Sequence, residues 1–171
     1  MNYWITTDWH LNHRNIIEYE NRPTNYMELI LKHHKEVIKP EDILINLGDV
    51  IFGQKNDLKD FMSEIPAKKK ILVRGNHDEH NTDTFYYKSG FDCVCDGLTI
   101  DYVLLSHAPM ELTDYHLGNI HGHFHSNGHR IEEPWYTNSP RHFLLAIEST
   151  NYYPVKFQKI KEKLQCLKNI L

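Results

Sequence analysis

Short apolar runs along the chain are each cut off by a polar cluster. Residues 3–7 (YWITT) run into Asp8, and residues 43–47 (ILINL) into Gly48 and Asp49. Residues 71–73 (ILV) run into Arg74-Gly75-Asn76-His77-Asp78, and residues 102–105 (YVLL) into Ser106 and His107. Each run is short, β-branched and closed by turn residues, which predicts a buried strand. Residues 143–147 (FLLAI) predict a further strand, and Asn119-Ile120 a shorter one leading into HGHFH. Between them the apolar spacing turns helical. Met27, Ile30, Leu31, His34 and Ile38 recur at three-to-four intervals over residues 25–39, and Pro40 stops the pattern. Leu58, Phe61, Met62 and Ile65 repeat it over residues 57–65, ended by Pro66. Residues 155–167 set Val155, Ile160, Leu164 and Leu167 against Lys and Glu, an amphipathic C-terminal helix. Residues 12–19 predict a short helix.

The order is β-α-β-α-β, then mostly strands, then a helix. The first half predicts parallel strands with crossover helices, the second a meander. No repeat, low-complexity segment or linker divides the 171 residues, so one domain over residues 1–171 is expected. Residues 118–140 are polar and strand-poor and read as long loops beside a site. No basic segment followed by an apolar run opens the chain, and no stretch approaches the ~20 apolar residues that cross a bilayer, so a cytoplasmic protein away from membranes is expected.

Composition changes this picture in three places. A net charge of -4 supplies no broad basic field, which excludes a protein that coats duplex DNA. Three cysteines, two of them in a C-x-C pair, fit neither a disulfide framework nor a zinc ribbon and read as reduced thiols. Thirteen histidines are many, and histidine is the commonest metal ligand. Their placement matters more than their number. Asp8 and His10, Asp49, Asn76 to Asp78, His107, and His121, His123 and His125 all follow predicted strands, and in open α/β sheets sites lie beyond the carboxyl ends of strands. In Asp8-Trp9-His10 and His123-Phe124-His125 an i, i+2 pair in extended chain points one way, so one segment can offer two ligands. Carboxylate, amide and imidazole donors without thiolate suit manganese, iron or zinc, and argue against a purely structural zinc site.

Taken in order, D-x-H at Asp8, G-D at Gly48, G-N-H-D at Gly75, H-A-P at His107 and G-H-x-H at Gly122 resemble the signature blocks of the calcineurin-like metallophosphoesterases. The opening DWHLNHRNII and the HGHFHS block are most similar to a small cap-less bacterial and phage-type subgroup. The resemblance implies an α/β fold, a four-layer αββα sandwich of two mixed β-sheets with flanking helices. It implies two divalent metal ions, manganese foremost and iron, zinc, nickel or magnesium as alternatives. One ion would be held by Asp8, His10 and His125, the other by Asn76, His107 and His123, with Asp49 bridging. A hydroxide bridging the ions would attack phosphorus in line. His77 would protonate the leaving alkoxide or stabilise charge on the phosphoryl group, and Asp78 would orient His77 and keep it basic.

The protein Ser/Thr phosphatases of the family carry G-D-x-x-D-R-G. Here Gly48-Asp49-Val50-Ile51-Phe52-Gly53 lacks that phosphate-binding arginine, which counts against a protein phosphatase. The chain is too short for a cap domain, so an open site is expected, favouring phosphodiesters over phosphomonoesters. Nucleotide and nucleic-acid substrates are both compatible. His13 and Arg14, one turn beyond the first ligands, are the foremost candidates to bind substrate phosphate. Arg74, His129 and Arg130 are weaker ones, and His121 is expected behind the ligands. Trp9 and Asn12 stand where relatives carry smaller residues and are expected to reshape the substrate side. No obligate protein partner is implied, and a homodimer is common for small domains. Two rivals fit less well. An HD phosphohydrolase would carry His77-Asp78 on a helix, and a non-catalytic binding module would not need to keep every ligand and His77.

Overall fold

Register brings the predicted strand ends to a common edge. The computed structural model describes residues 1–52, 57–127, 136 and 139–168. Strands β1 (Tyr3–Thr6), β2 (Ile43–Asn46), β3 (Lys69–Val73) and β4 (Cys93–Cys95) run parallel in the order β4-β3-β2-β1, and β9 (Val155–Lys156) adds antiparallel to β1. Thr6, Asn46 and Leu72 pair side by side, so the loops that begin with Thr7, Leu47 and Arg74 leave the sheet together. The second sheet has the order β5 (Leu98–Ile100), β6 (Val103–Ser106), β7 (Gly118–His121), β8 (His142–Leu144).

Strand alternation builds two cores. Ile5, Ile45 and Val73 face inward with Val103, Leu105 and Ile120 of the second sheet. Trp4, Leu44 and Leu72 face the other way, against α1 (Ile16–Tyr19), α2 (Tyr26–Val37), α3 (Asp57–Glu64) and α4 (Asp83–Lys88) through Ile16, Ile30, Leu58, Met62 and Tyr86. The C-terminal α5 (Phe157–Lys168) sends Phe157, Ile160 and Leu164 into the first of these cores. The architecture is thus two mixed sheets with flanking helices, as expected. Among the described residues no helix is long and apolar enough to cross a membrane.

Four local expectations need correction. The second half is not a meander: among the described residues of the second sheet only β5 and β6 form an antiparallel pair, while β6, β7 and β8 run parallel. The chain between β6 and β7 is long enough to carry it back to the start of the next strand, as parallel neighbours require. Helix α4 was not marked by apolar spacing; its start is fixed by Thr82, whose hydroxyl accepts the Phe85 N–H. Val155 pairs with Ile5 and belongs to β9, so the last helix begins at Phe157. Trp9 does not reach the substrate side. It is fully buried, its indole N–H donates to Thr6 Oγ1 at 2.8 Å, and it packs on His34 and Phe61.

Candidate metal centre

Beyond the strands, β1 and β2 stay zipped together by backbone hydrogen bonds. Asp8 donates to the Gly48 carbonyl, His10 to that of Asp49 and Leu11 to that of Val50. On the second sheet Gly122 donates to the His107 carbonyl. Asp8, His10, Asp49, Asn76, His107, His123 and His125 gather there in one cluster. Ligand-type atoms of Asp8, His10 and His125 lie within 4.8 Å of one another, and so do those of Asp8, Asp49 and His107. Asp49 Oδ2 stands between the halves, 3.5 Å from His10 Nε2 and 3.4 Å from His107 Nε2. His107 Nε2 also lies 3.0 Å from Asn76 Oδ1 and 3.1 Å from His123 Nδ1.

Five of these seven residues share an uncommon backbone conformation. Asp8, His10, Asp49, His123 and His125 all have φ between +49° and +72°. Asp and His enter this region more readily than most residues, but each such residue still costs on the order of 1–3 kcal/mol. Five strained residues in one cleft mark it as a place where position outweighs stability.

The donor chemistry fits divalent cations. Thr7 Oγ1 and the His123 N–H both donate to Asp8 Oδ2, which leaves the buried Oδ1 without a hydrogen-bond partner. The buried Nε2 of His10 is likewise unpartnered. Burial pushes the His10 imidazole down to about 2, despite the pull of Asp49, so it presents a neutral ring. The ring N–H at His107 Nδ1 donates to the Leu47 carbonyl at 2.8 Å. Its Nε2 faces Asp49 Oδ2, Asn76 Oδ1 and His123 Nδ1, a group of atoms able to share a cation with it. Burial opposes charge on His107, but the hydrogen bond to Asp49 and the charge of Asp8 raise it to about 9. Burial would also raise Asp49, yet the His107 hydrogen bond and the nearby imidazoles hold it well below the usual carboxylate range. The cluster therefore calls for positive charge between its two halves.

His77 stands at the rim. Its side chain is 37% exposed, its Nε2 lies 3.9 Å from Asp49 Oδ2, and its ring packs edge-on to His10 and Phe52. Its backbone N–H donates to Asp49 Oδ1 at 3.0 Å. Asp78 does not orient it. The Asp78 carboxylate points into the protein, accepting the backbone N–H groups of Asp49, Val50 and Gly75 and the Tyr86 hydroxyl. Adjacency misled here because residue 78 opens a 3-10 turn that swings the side chain under the Asp49 loop.

His13 belongs to the cleft: its ring stacks on Phe52 at 4.2 Å and its Nδ1 lies 3.3 Å from His10 Nδ1. Arg14 lies farther out. It lines an adjoining cleft of about 630 Å³ that shares His13, Asn15 and Phe52 with the roughly 450 Å³ cleft over the metal-type residues. Arg74 is paired with Asp83 and Asp96 on the surface. His121 is buried behind the centre, 3.3 Å from the Tyr136 hydroxyl, and burial lowers it to about 4. His129 and Arg130 lie outside the described residues.

Sequence reasoning missed Arg22 and Glu148. Glu148 Oε1 lies 3.2 Å from His125 Nδ1 and 2.9 Å from Arg22 Nε. Burial would raise the Glu148 carboxyl, but the His125 hydrogen bond and the Arg22 charge hold it below its ordinary value. A signal was there: Glu148 directly follows the FLLAI run, as the other acidic residues of the centre follow theirs.

One glycine sets the spacing between the sheets. A Cβ on Gly122 would overlap Thr7 Oγ1 and Asp8 Oδ2, both buried. Gly122→Ala is expected to cost about 1–3 kcal/mol, the range for overpacking a filled interior, and to lower metal content by displacing Asp8. A melting curve and metal analysis check this; wild-type values for both would mean that the loop can retreat.

The family model for calcineurin-like phosphoesterases matches residues 1–146. An uncharacterized protein of Methanocaldococcus jannaschii is 28% identical over 169 residues, 95% of this chain and 90% of the relative. The crystal structure of a protein of unknown function from Aquifex aeolicus matches with a TM-score of 0.70 and 27% identity, covering 94% of this chain and 98% of that one. That of a nuclease from Pseudomonas putida matches with a TM-score of 0.54 and 20% identity, over 72% of this chain and 61% of that one, a likeness of fold.

Proposed function

The chain belongs to the calcineurin-like phosphoesterases, and on that footing we propose that it hydrolyses phosphodiester bonds using two divalent metal ions. Asp8, His10 and His125 would hold one ion, and Asn76, His107 and His123 the other. Asp49, whose Oδ2 lies between His10 and His107, would contact both. When bound, such ions neutralise charge on the phosphoryl oxygens and bring the pKa of coordinated water toward neutrality. Manganese suits the mixed oxygen and imidazole donor set best; iron, zinc, nickel and magnesium also fit it.

The protein's own residues supply the rest. His77, at the rim with its Nε2 toward the cleft, would hand a proton to the leaving alkoxide. The Asp78 carboxylate would act at one remove, holding the Asp49 loop by two backbone bonds and its own turn by a third, from Gly75. His13, stacked on Phe52, would orient the phosphoryl group. Arg14, in the adjoining cleft, would reach a more distant phosphate of an extended substrate.

The observation that carries the diester reading is that a second cleft adjoins the one over the metal-type residues, the two sharing His13, Asn15 and Phe52. It gives room for a substituent on each side of phosphorus. The test is hydrolysis of a bis-aryl phosphodiester beside the matching monoester, with EDTA-stripped protein reloaded with manganese, iron, zinc, nickel or magnesium. Metal-dependent cleavage of the diester is expected. Cleavage of the monoester alone would overturn the diester preference. No turnover by protein holding two ions would overturn the hydrolase reading in favour of a binding module.

A further inference from the structure

Three successive backbone carbonyls, those of Asp8, Trp9 and His10, each accept a hydrogen bond from a buried side chain. Arg22 Nη2 donates to the Asp8 carbonyl at 2.7 Å and Arg22 Nη1 to that of Trp9 at 2.9 Å. Tyr26 Oη donates to the carbonyl of His10 at 2.6 Å. The guanidinium of Arg22 lies 5.2 Å from the centre of the Tyr26 ring and has no exposed side-chain surface. Its Nε–Nη2 edge meets Glu148, which receives bonds from both nitrogens. Glu148 in turn meets His125 Nδ1. The segment so held contains two of the five strained residues of the centre, Asp8 and His10.

We infer that Tyr26, Arg22 and Glu148 form a buried clamp that sets the Asp8, His10 and His125 half of the centre for a divalent cation before the cation arrives. The inference rests on the metal-binding reading above. Its logic is one of tautomer and backbone. A carboxylate can only accept, so the proton of His125 lies on Nδ1 and its lone pair on Nε2. That Nε2 lies 3.9 Å from Asp8 Oδ1, the orphaned oxygen. A carboxylate behind a ligating imidazole fixes its ring and raises its basicity, and loss of such a partner costs about 10–100-fold in metal affinity. Arg22 does the matching task for the backbone. Its rigid fork spans two carbonyls and a carboxylate, which the single ammonium of lysine cannot reproduce. The clamp also joins the two sheets, because Arg22 follows β1 while Glu148 follows β8. Tyr26, Arg22 and Glu148 are positioning residues.

The test is manganese uptake by the metal-free protein, read from the free-ion signal in electron paramagnetic resonance and fitted to two sites. Thermal melting of the same samples is recorded without metal. Glu148→Ala is expected to weaken one site about 10–100-fold and leave the other unchanged. Glu148→Gln, which keeps an acceptor for His125 Nδ1, is expected to recover part of the loss. Tyr26→Phe removes a single hydroxyl and keeps the ring under Arg22; it is expected to weaken the same site roughly 10-fold, at the low end of that range, and it serves where the Glu148 variants fail to fold. A lowered melting temperature with both manganese affinities at wild-type values would reduce the clamp to an ordinary structural ion pair and overturn the inference alone. Wild-type protein that takes up neither manganese nor, by metal analysis, iron, zinc, nickel or magnesium would overturn the metal-site reading and the clamp with it.

Discussion

His77→Ala is expected to leave two metal ions bound and to lower kcat by roughly 10²–10⁴-fold, the usual contribution of a positioned proton donor. The expectation comes from where the ring stands. Its Nε2 lies 3.9 Å from Asp49 Oδ2, too far for a hydrogen bond, and its side chain is open to the cleft. The centre is tied to His77 through its backbone N–H, which donates to Asp49 Oδ1, and alanine keeps that bond. The variant therefore separates holding metal from moving a proton. The loss should shrink as the leaving group becomes more acidic, because a good leaving group needs no proton. Activity near wild type on esters with poor leaving groups would remove His77 from the proposed mechanism. Loss of metal along with activity would show that the ring has a structural task.

Much of this was legible in the sequence, for a definite reason. A strand buried on both faces reads as an uninterrupted apolar run, so its end is sharp, and the first residue able to bind a cation after it is easy to name. Asp8, Asp49, Asn76 and His107 were found that way, and the structure brings all four to one cleft. Shorter or half-exposed elements left no such edge. Strands β4 and β5 are three residues each and only partly buried, and neither was predicted. The Asp78 expectation failed because adjacency carries no direction; a single 3-10 turn sends His77 to the rim and Asp78 to the interior. Arg22 and Glu148 were hidden differently. They are 126 residues apart and meet only after both sheets have closed, a contact that no periodicity encodes. The left-handed backbone at Asp8, His10, Asp49, His123 and His125 was also invisible, since these residue types adopt ordinary conformations elsewhere.

Asp49→Ala should have the larger effect, removing metal as well as turnover. Its carboxylate stands within 3.5 Å of imidazoles from both halves, His10 and His107. Without it, each half keeps its own donors but loses the negative charge shared between two cations, and cations placed close together without such a charge repel each other. At stoichiometric metal the content is expected to fall from two ions per chain to one or none. A catalytic ion contributes several kcal/mol of transition-state stabilisation, so turnover should fall by at least roughly 10³-fold. Asp49→Asn sharpens the test. The amide retains an oxygen to accept the His77 N–H, and Asp78 still holds the residue 49 backbone, so local structure should persist while the charge is gone. If the role is electrostatic, asparagine fails nearly as badly as alanine. If Asp49 merely organises the loop, asparagine restores both ions and most of the rate. Metal analysis of the two variants beside single-turnover rates decides between these, and two tightly held ions in the alanine variant would refute the bridging role outright.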